Sequence, residues 1–441
     1  MPKLLIVSPH FPPLNAPDMQ RVRMSLPHFV AAGWEVVVLA ADDDRPLAPV
    51  EPELVGTVPA AVRVVRVPVL SRRWTARLGV NNLGWRAFPF LHAAARRLLR
   101  AERFDLVYFS TTQFAVLPLG RRWWQGTGVP YVIDLQDPWL SDYYERSGVA
   151  PPGGWKYRTA RAFAQLLEGW TLRRCAHVIS VSPAYLDTLQ QRYPWFGPAS
   201  GSVVTFGAPD EDFAVARQLN ASRAPLLPAS RTLKIAYAGR LGADMLPALD
   251  ILFAAVARVS TRVRPVELFF FGTSYAQAGQ GPSTTRALAE KHGIADRVHE
   301  QPDRIGYLSA LRLLLETDLA LLLGSDEVAY SPSKTYPTLS AERPTLAVMP
   351  RRSVLEGLVD QLGGVTKIAF AAATDATAIA RTAAVLTRLA EHGDWQPDQP
   401  LQRARLRDHH SARAVAQRQL EIFTAVIRAR AATAQSPAPL V

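Results

Sequence analysis

Cysteine is almost absent from this 441-residue chain, whose single thiol is Cys175. One cysteine excludes a disulfide framework, and its place in the run LRRCAHVISV favours a small buried side chain over a nucleophile. No group of Cys and His residues has metal-ligand spacing, so we expect no metal site. Long apolar runs are also lacking. The longest, Leu311 to Leu323, is interrupted by Glu316 and Asp318, so we expect no segment that spans a bilayer.

The N-terminal run MPKLLIVSP has one lysine and a very short apolar stretch. These features fit a first β-strand better than a signal peptide. We therefore expect a cytoplasmic protein, either free or peripheral on the inner face of the plasma membrane.

Lysine is scarce, with six among 50 basic residues, and 38 acidic residues leave a net charge of +12. Arginine mixes with aromatic residues in Ser71 to Arg100 and again in the run Arg121, Arg122, Trp123, Trp124. This mixture suits an anionic membrane surface, and a solvated helix face with some buried Trp explains it equally well. No nucleic-acid-binding module is recognisable, so nucleic acid is not an expected partner.

The chain is too long for one ordinary core, so two domains are expected. Short apolar runs separated by helical patterns such as Arg21 to Ala32 and Trp155 to Arg174 predict doubly wound α/β architecture. The predicted strands are Lys3–Ser8, Trp34–Ala40, Asp105–Phe109, Pro130–Asp134 and His177–Val181, then Leu233–Ala238, Val266–Phe271, Leu319–Leu323 and Thr345–Val348.

The predicted domain boundaries follow from this pattern. Residues 1–209 form the first domain, residues 210–231 a connection that ends in the run RAPLLPAS, and residues 232–397 the second domain. Residues 398–432 are arginine-rich with apolar residues at helical spacing, which predicts a C-terminal helix. Residues 433–441 are predicted to be a disordered tail.

The most informative segment is YSPSKTYPTLSAERP, from Tyr330 to Pro344, which follows a predicted buried strand. Its composition predicts a helix that opens near Pro332 or Ser333, with Lys334 close to the helix start. Backbone N–H groups, the helix dipole and an ammonium would then meet, which suits a phosphate-bearing ligand. An ordinary capped surface helix is the alternative.

Four further segments follow predicted strands: SPHFPPLNAPDMQRVR at residues 8–23, DLQDPW at 134–139, VSPAYLDTL at 181–189 and YAGRLG at 237–242. Ligands of doubly wound sheets bind at the carboxyl ends of the strands. We therefore expect these loops to line a cleft between the two domains.

In this order the five segments resemble the GT-B glycosyltransferases, in particular the bacterial members of glycosyltransferase family 4 that build surface polysaccharides and glycolipids. The resemblance covers nearly the whole chain. It implies two Rossmann-like doubly wound α/β domains that face an interdomain cleft, with a C-terminal helix packed back on the first. It also implies a nucleotide-sugar donor on the second domain, an acceptor on the first, and transfer that retains anomeric configuration without a metal.

The donor site predicted from this resemblance lies in the second domain. Arg240 matches the family arginine that meets the donor pyrophosphate, where a planar cation stabilises the leaving group. A second family cation, a lysine, falls near Met245, and we expect Lys334 to replace it. An arginine on the surface beside a turn is the alternative for Arg240. The predicted donor residues are Gly239, Arg240, Gly272, Thr273, Tyr330, Ser333 and Lys334.

The chain departs from the family at a pair of glutamates, which aligns with Ala329 and Pro337. Asp326 or Glu327, in the preceding loop, are the candidate substitutes. The loss keeps a second interpretation open, in which the protein is a degenerate GT-B copy that serves as a binding or scaffold subunit.

The predicted acceptor site lies in the first domain. Many family members have a histidine after the strand that corresponds to PYVID, whereas this chain has DLQDPW. Asp137 is predicted to orient or deprotonate the acceptor hydroxyl, with Asp134 as its substitute, and an N-cap is the alternative for Asp137. Asn15 and Arg21 are predicted to contact the acceptor or the donor phosphates.

The sequence therefore predicts a glycosyltransferase that moves a sugar from a nucleotide-sugar donor, a co-substrate rather than a cofactor, to a lipid-linked or glycan acceptor. An anionic membrane surface is a further candidate partner. A nucleotide-sugar epimerase of the same fold is disfavoured, because the loops after the strands offer few of the carboxylates and histidines that such chemistry needs.

Overall fold

The computed structural model of the chain describes residues 1–78, 80–140, 155–259, 264–274, 281–327, 333–395, 397 and 403–435. The chain forms two compact units. One comprises Met1–Phe206 together with the C-terminal segment from Ala412, and the other comprises Gly207–Ser411. None of the helices in these described ranges has the length and apolar character that crossing a membrane requires.

The described strands form two sheets in which every pairing is parallel. The first sheet has the order β3-β2-β1-β4-β5-β6-β7 and the second β10-β9-β8-β11-β12-β13. The strands are β1 Lys3–Val7, β2 Glu35–Asp42, β3 Arg63–Pro68, β4 Leu106–Ser110, β5 Tyr131–Leu135, β6 His177–Ser180, β7 Gly201–Val203, β8 Leu233–Ala238, β9 Val266–Phe271, β10 Val298–Gln301, β11 Leu319–Leu323, β12 Thr345–Pro350 and β13 Thr366–Phe370.

Helices connect the strands of both sheets. The α-helices of the described ranges are α1 Pro17–Ala31, α2 Arg72–Thr75, α3 Leu83–Ala101, α4 Pro118–Thr127, α5 Trp155–Leu172, α6 Pro183–Arg192, α7 Asp210–Ser222, α8 Leu246–Val256, α9 Arg286–Lys291, α10 Tyr307–Glu316, α11 Thr335–Ser340, α12 Val354–Leu362, α13 Ala376–His392, α14 Arg403–His410 and α15 Ala412–Gln435. Short 3₁₀ helices cover Pro52–Thr57, Ala76–Leu78, Phe114–Val116, Pro198–Ser200, Ala243–Met245 and Ala295–Arg297.

Each sheet reverses its strand order at one place, between β1 and β4 in the first unit and between β8 and β11 in the second. The connections from such a pair of strands run in opposite directions, which opens a crevice at the carboxyl ends of the two strands. The four strands are almost wholly apolar and buried, so helices must cover both faces of each sheet. Open α/β sheets bind ligands in such crevices, so each unit has one candidate ligand position.

All nine predicted strands are present, with ends that differ by at most two residues. The four strands that the sequence did not predict, β3, β7, β10 and β13, lie at the outer edges of the two sheets. Strands β3, β7 and β10 are largely half-buried or exposed, and β13 alternates between buried and half-buried positions. Edge strands therefore lack the continuous apolar run that identified the inner strands.

The segment predicted as a connection begins with helix α7, Asp210–Ser222, which packs on α10 within the second unit. The Tyr307 hydroxyl donates to Asp212 at 2.9 Å, and Arg312 Nε donates to Asn220 Oδ1 at 2.6 Å. These bonds make the helix an integral part of that unit. The chain passes from one unit to the other at Phe206 and Gly207.

The predicted C-terminal helix is two helices, α14 and α15, and only α15 belongs to the first unit. Helix α15 packs along α1, where Phe423 is fully buried against Phe29, Trp34 and Tyr108. The expectation of a C-terminal helix packed on the first domain is thus confirmed. Of the predicted tail, residues 433–435 are helical and residues 436–441 lie outside the described residues.

Candidate functional site

The carboxyl ends of β8 and β11 bring Gly239 and Lys334 together at the strand-order reversal of the second sheet. Gly239 has a φ of +128°, a conformation that side chains disfavour. A Cβ at this position would overlap Cε and Nζ of Lys334. Glycine is therefore required here, because it lets the lysine lie against the loop.

Lys334 is half-buried and held by the aromatic ring at the end of β8. Its Nζ donates to the Tyr237 hydroxyl at 2.8 Å and lies 4.6 Å from the ring centroid. The same Nζ lies 3.4 Å from the carbonyl oxygen of Arg240. Loss of hydration, and then repulsion by the Arg240 cation, lower the Lys334 pKa to about 7. The ammonium is therefore only partly formed at neutral pH.

Arg240 is oriented by Asp244, one turn later in the same loop. Its two terminal nitrogens donate to the two carboxylate oxygens at 2.7 and 2.8 Å. The Ser325 hydroxyl, which follows β11, donates to the same carboxylate at 2.7 Å. Burial acts to raise the Asp244 pKa, but the bonds from Arg240 and Ser325 outweigh it and lower the pKa. Asp244 stays ionised and fixes the guanidinium plane.

These contacts place two cations around one carboxylate. When Lys334 is protonated, the cluster of Arg240, Asp244 and Lys334 carries one net positive charge. Gly242 makes the arrangement possible, because a Cβ there would overlap the Arg240 guanidinium. A rigid, partly desolvated cation pair at a strand-order reversal is suited to a diphosphate.

Sequence reasoning missed Tyr237 and Asp244, although both lie in or beside the YAGRLG segment. The spacing of Arg240 and Asp244, four residues apart, was a usable signal. The contact between Tyr237 and Lys334 spans 97 residues and had no local signal.

Gly272 and Thr273 support this loop from the neighbouring strand, β9. Gly272 has a φ of +69°, and its N–H donates to the Gln301 carbonyl at 2.9 Å. The Thr273 carbonyl accepts from the Leu241 N–H at 3.0 Å, while its buried hydroxyl donates to Glu300 at 2.5 Å. Thr273 therefore ties two loops together, and its side chain is already engaged.

The segment around Ser333 differs from its prediction. Ser333 is exposed, and helix α11 begins at Thr335, has only six residues and carries no side-chain cap, so the predicted capped start at Ser333 is wrong. Pro332, the other predicted start, lies outside the described residues. Met245 is fully buried, and Lys334 reaches the same loop instead. The Asp326 N–H donates to the Asp244 carbonyl at 3.1 Å. Tyr330 and Ala329 lie outside the described residues.

In the first unit, a second cluster lies at the strand-order reversal between β1 and β4. His10, three residues after β1, places Nδ1 3.0 Å from Asp18 Oδ1. The other Asp18 oxygen accepts from the Thr111 hydroxyl at 2.7 Å and the Thr112 N–H at 3.1 Å, beyond β4. Burial opposes ionisation, but the bonds from His10 and Thr111 lower the Asp18 pKa. Sequence reasoning missed this His–Asp pair.

Asp137 lies beside this cluster and reaches solvent, although the surrounding protein removes part of the hydration of its carboxyl group. The neighbouring Gln136 amide donates to the Asp18 carbonyl at 2.7 Å, which joins the two loops. Desolvation by the surrounding protein, followed by the negative charge of Asp18, raises the Asp137 pKa to about 6. Residues 136–140 form bends rather than a helix, so Asp137 is not an N-cap.

Arg21 and Asp134 are buried and bonded to each other. Arg21 Nε donates to Asp134 Oδ2 at 2.5 Å, and its terminal nitrogens donate to the Thr205 and Val204 carbonyls at 2.7 Å. The Tyr108 hydroxyl donates to the same carboxylate oxygen at 2.5 Å. This burial favours a structural role for both residues over the predicted ligand contacts.

Asn15 is also buried, and its side-chain oxygen accepts from the Gln20 amide at 3.1 Å. Burial again favours a role in the fold over the predicted ligand contact. Within the described ranges, no group of three or more His, Cys, Asp and Glu side chains is arranged to hold a metal ion.

Comparison with known proteins gives a family match for part of the chain. Residues 20–207 match the model of a family described as the glycosyl transferase 4-like domain. No curated protein sequence matches the chain.

Solved structures share the fold over almost the whole chain. Sucrose-phosphate synthase from Thermosynechococcus elongatus is 18% identical, with 97% of this chain and 100% of that chain covered and a TM-score of 0.61. Trehalose 6-phosphate synthase from Burkholderia multivorans is 12% identical, with both chains fully covered and a TM-score of 0.60. HepE from Anabaena, solved in complex with UDP, is 14% identical, with 96% and 100% covered and a TM-score of 0.55.

The expected resemblance to the GT-B glycosyltransferases is confirmed by the family match and by these folds. Residues 20–207 thus match the glycosyl transferase 4-like domain, in a chain that has the GT-B fold of two Rossmann-like α/β units.

Proposed function

We propose that this protein is a glycosyltransferase that moves a sugar from a nucleotide-sugar donor to a hydroxyl of a lipid-linked or glycan acceptor. The observation that carries the proposal is the cation pair of Lys334 and Arg240 at the strand-order reversal of the second sheet. HepE, which shares the fold, was solved with UDP and with UDP-glucose, which supports a nucleoside diphosphate as the ligand class.

The donor diphosphate is proposed to bind against Arg240 and Lys334. As the bond between the anomeric carbon and the phosphate oxygen breaks, negative charge grows on the leaving diphosphate. Asp244 holds the guanidinium in a fixed plane, so its charge is in place before the reaction and needs little reorganisation. The two cations supply the charge stabilisation, and the proposal includes no metal or cofactor.

The acceptor is proposed to meet the His10–Asp18 pair and Asp137. At neutral pH, Asp137 is largely ionised despite its raised pKa of about 6, so it accepts a hydrogen bond from the acceptor hydroxyl. The hydroxyl oxygen attacks the anomeric carbon, and its proton passes to the departing phosphate oxygen on the same face of the sugar. This front-face route retains anomeric configuration, and the Asp137 carboxylate only has to orient the acceptor hydroxyl.

A role in bacterial surface polysaccharide synthesis, and an acceptor carried by a membrane lipid, are part of this proposal and rest on the sequence resemblance alone. The scaffold interpretation is the second candidate, since Pro337 and Ala329 replace the two family glutamates. It predicts nucleotide binding without sugar transfer.

The test is a transfer assay with radiolabelled nucleotide sugars, the purified protein and a lipid extract of bacterial membranes. We expect label from one donor to enter the lipid fraction, and Lys334→Met to reduce the rate about tenfold or more. Lys291→Met is the matched control, because that lysine is 57% exposed and its Nζ pairs with the carboxylate of Asp250 at 3.0 Å, on a helix away from Arg240 and Lys334. No transfer from any donor, with nucleotide binding intact, would support the scaffold interpretation instead.

A further inference from the structure

Helix α5, Trp155–Leu172, exposes three large apolar side chains on one face. Phe163 is 55% exposed, Leu166 72% and Trp170 38%. At 3.6 residues per turn, these three positions fall within an arc of about 60°. Single exposed apolar residues are ordinary, but three adjacent ones on one helix form a patch that needs a partner.

The opposite face of the same helix is buried in the first unit. Glu168 is 1% exposed, and its carboxylate accepts from Arg192 at 2.7 Å and from the Tyr193 hydroxyl at 2.8 Å. Thr171 and Leu172 are buried beside it. These contacts fix the rotation of the helix, so the three apolar side chains are held outward.

Arginines lie at the Trp170 end of this patch. The Arg121 guanidinium lies 4.5 Å from the Trp170 ring centroid, and Arg174 lies 5.3 Å from the ring of Trp124. Arg122 and Arg173 are exposed beside them, on α4 and directly after α5. The exposed residues named here therefore form a surface that is both apolar and positively charged.

The tryptophans of the run Arg121, Arg122, Trp123, Trp124 divide between the core and the surface. Trp123 is 2% exposed and stacks on Phe109 at 5.6 Å between centroids, so it belongs to the core. Trp124 is half-buried and lines a groove against α15 whose other walls include Ile422 and Arg418. The mixture of apolar and basic groups thus continues past α5.

We propose that this surface, formed by Phe163, Leu166 and Trp170 with Arg121, Arg122, Arg173 and Arg174 at one end, docks the protein onto an anionic lipid bilayer. The three apolar side chains would enter the boundary between headgroups and acyl chains, and the arginines would meet lipid phosphates. A second protein chain would bury the apolar side chains as well, but the four arginines at the Trp170 end favour a partner of uniform negative charge. The proposal does not depend on the chemistry of the transferase site.

Flotation with lipid vesicles tests the proposal. The full-length protein is mixed with vesicles of phosphatidylcholine alone or with about three-tenths phosphatidylglycerol. We expect binding to the anionic vesicles, weaker binding to the neutral ones, and loss of binding in high salt.

Two variants locate the surface. The change Phe163→Gln with Leu166→Gln should weaken binding about tenfold or more, because insertion of both side chains is lost. The change Arg122→Glu with Arg173→Glu should weaken binding to anionic vesicles by at least about tenfold and leave neutral vesicles unaffected. Val55→Gln with Val354→Gln is the control, since both valines are exposed and lie outside this helix.

Circular dichroism and nucleotide binding check that each variant is folded, and sedimentation reports its oligomeric state. Wild-type protein that ignores anionic vesicles, or a Phe163 and Leu166 variant that binds them as wild type does, would overturn the proposal. A dimer that this variant splits, with vesicle binding unchanged, would overturn it too and assign the face to a second copy of the chain.

Discussion

At the scale of single residues, the proposed contact between Lys334 and the donor predicts that donor binding depends on pH. The pKa of Lys334 is about 7, because it is desolvated and faces Arg240. A bound diphosphate favours the charged ammonium and raises that pKa, so above about pH 7 binding must take up a proton. Affinity should fall by up to about tenfold per pH unit above pH 7 and stay level below it, as far as this group is concerned.

Calorimetry in buffers that differ in ionisation enthalpy measures this uptake directly. At about pH 8 we expect wild type to take up close to one proton per diphosphate bound, and Lys334→Met to take up none. Binding without proton uptake in wild-type protein would show that Lys334 does not meet the ligand.

Protonation of Asp137 should determine how kcat/KM falls at acid pH. Its pKa is raised to about 6 by desolvation and by the charge of Asp18, and the ionised form is the one proposed to accept a hydrogen bond from the acceptor hydroxyl. We therefore expect kcat/KM to decline as pH falls through about 6, by up to about tenfold per unit. Asp137→Asn should lower kcat/KM and remove its decline at acid pH. If kcat/KM of the variant still declines through about pH 6, another group is responsible for the titration.

The Arg21–Asp134 pair should affect stability rather than catalysis. Replacing Arg21 by Met leaves a carboxylate that is buried and uncompensated, which typically costs about 3–5 kcal/mol. We expect urea unfolding to show a loss of this size with unchanged nucleotide affinity. Arg63→Met breaks a surface pair with Glu102 and should cost less than about 1 kcal/mol. A large loss of nucleotide affinity in a folded Arg21→Met variant would instead support the ligand contact that the sequence predicted for Arg21.

At the scale of secondary-structure elements, the sequence predicted the strands that are buried on both faces. Inner strands such as β8 and β11 are buried on both faces and read as unbroken apolar runs. The edge strand β10 alternates between half-buried and exposed positions, and β7 has only three residues, so neither has such a run. The short helix α11 was placed too early because cap residues alone suggested its start.

Helix α15 is part of the first unit, so loss of its packing contacts should lower the stability of that unit. Phe423 is fully buried among Phe29, Trp34 and Tyr108, while Gln419 donates to the Tyr108 hydroxyl at 2.9 Å. Phe423→Ala should therefore destabilise the protein by about 3–5 kcal/mol in urea unfolding.

Glu421→Ala, on the exposed side of the same helix, is the control and should change stability by less than about 0.5 kcal/mol. Equal effects of the two substitutions would contradict the packing of α15 on α1.

At the scale of the whole molecule, the sequence predicted the two α/β domains and placed the candidate site in loops after strands, because both follow from strand order and buried runs. It did not predict pairings between distant residues. Arg21 and Asp134 are 113 positions apart, and both were expected to face a ligand. A polar residue after a strand carries no local sign of whether it points to solvent or to a buried partner, so only the packed structure separates the two.

The most direct test of the central claim, that Lys334 and Arg240 form a diphosphate site, is calorimetric titration with a panel of nucleoside diphosphates below about pH 7, where Lys334 is charged. The account predicts that one of them binds wild type and Lys291→Met equally, and binds Lys334→Met about tenfold more weakly or worse. Equal binding to wild type and Lys334→Met, or no binding of any nucleoside diphosphate, would contradict it.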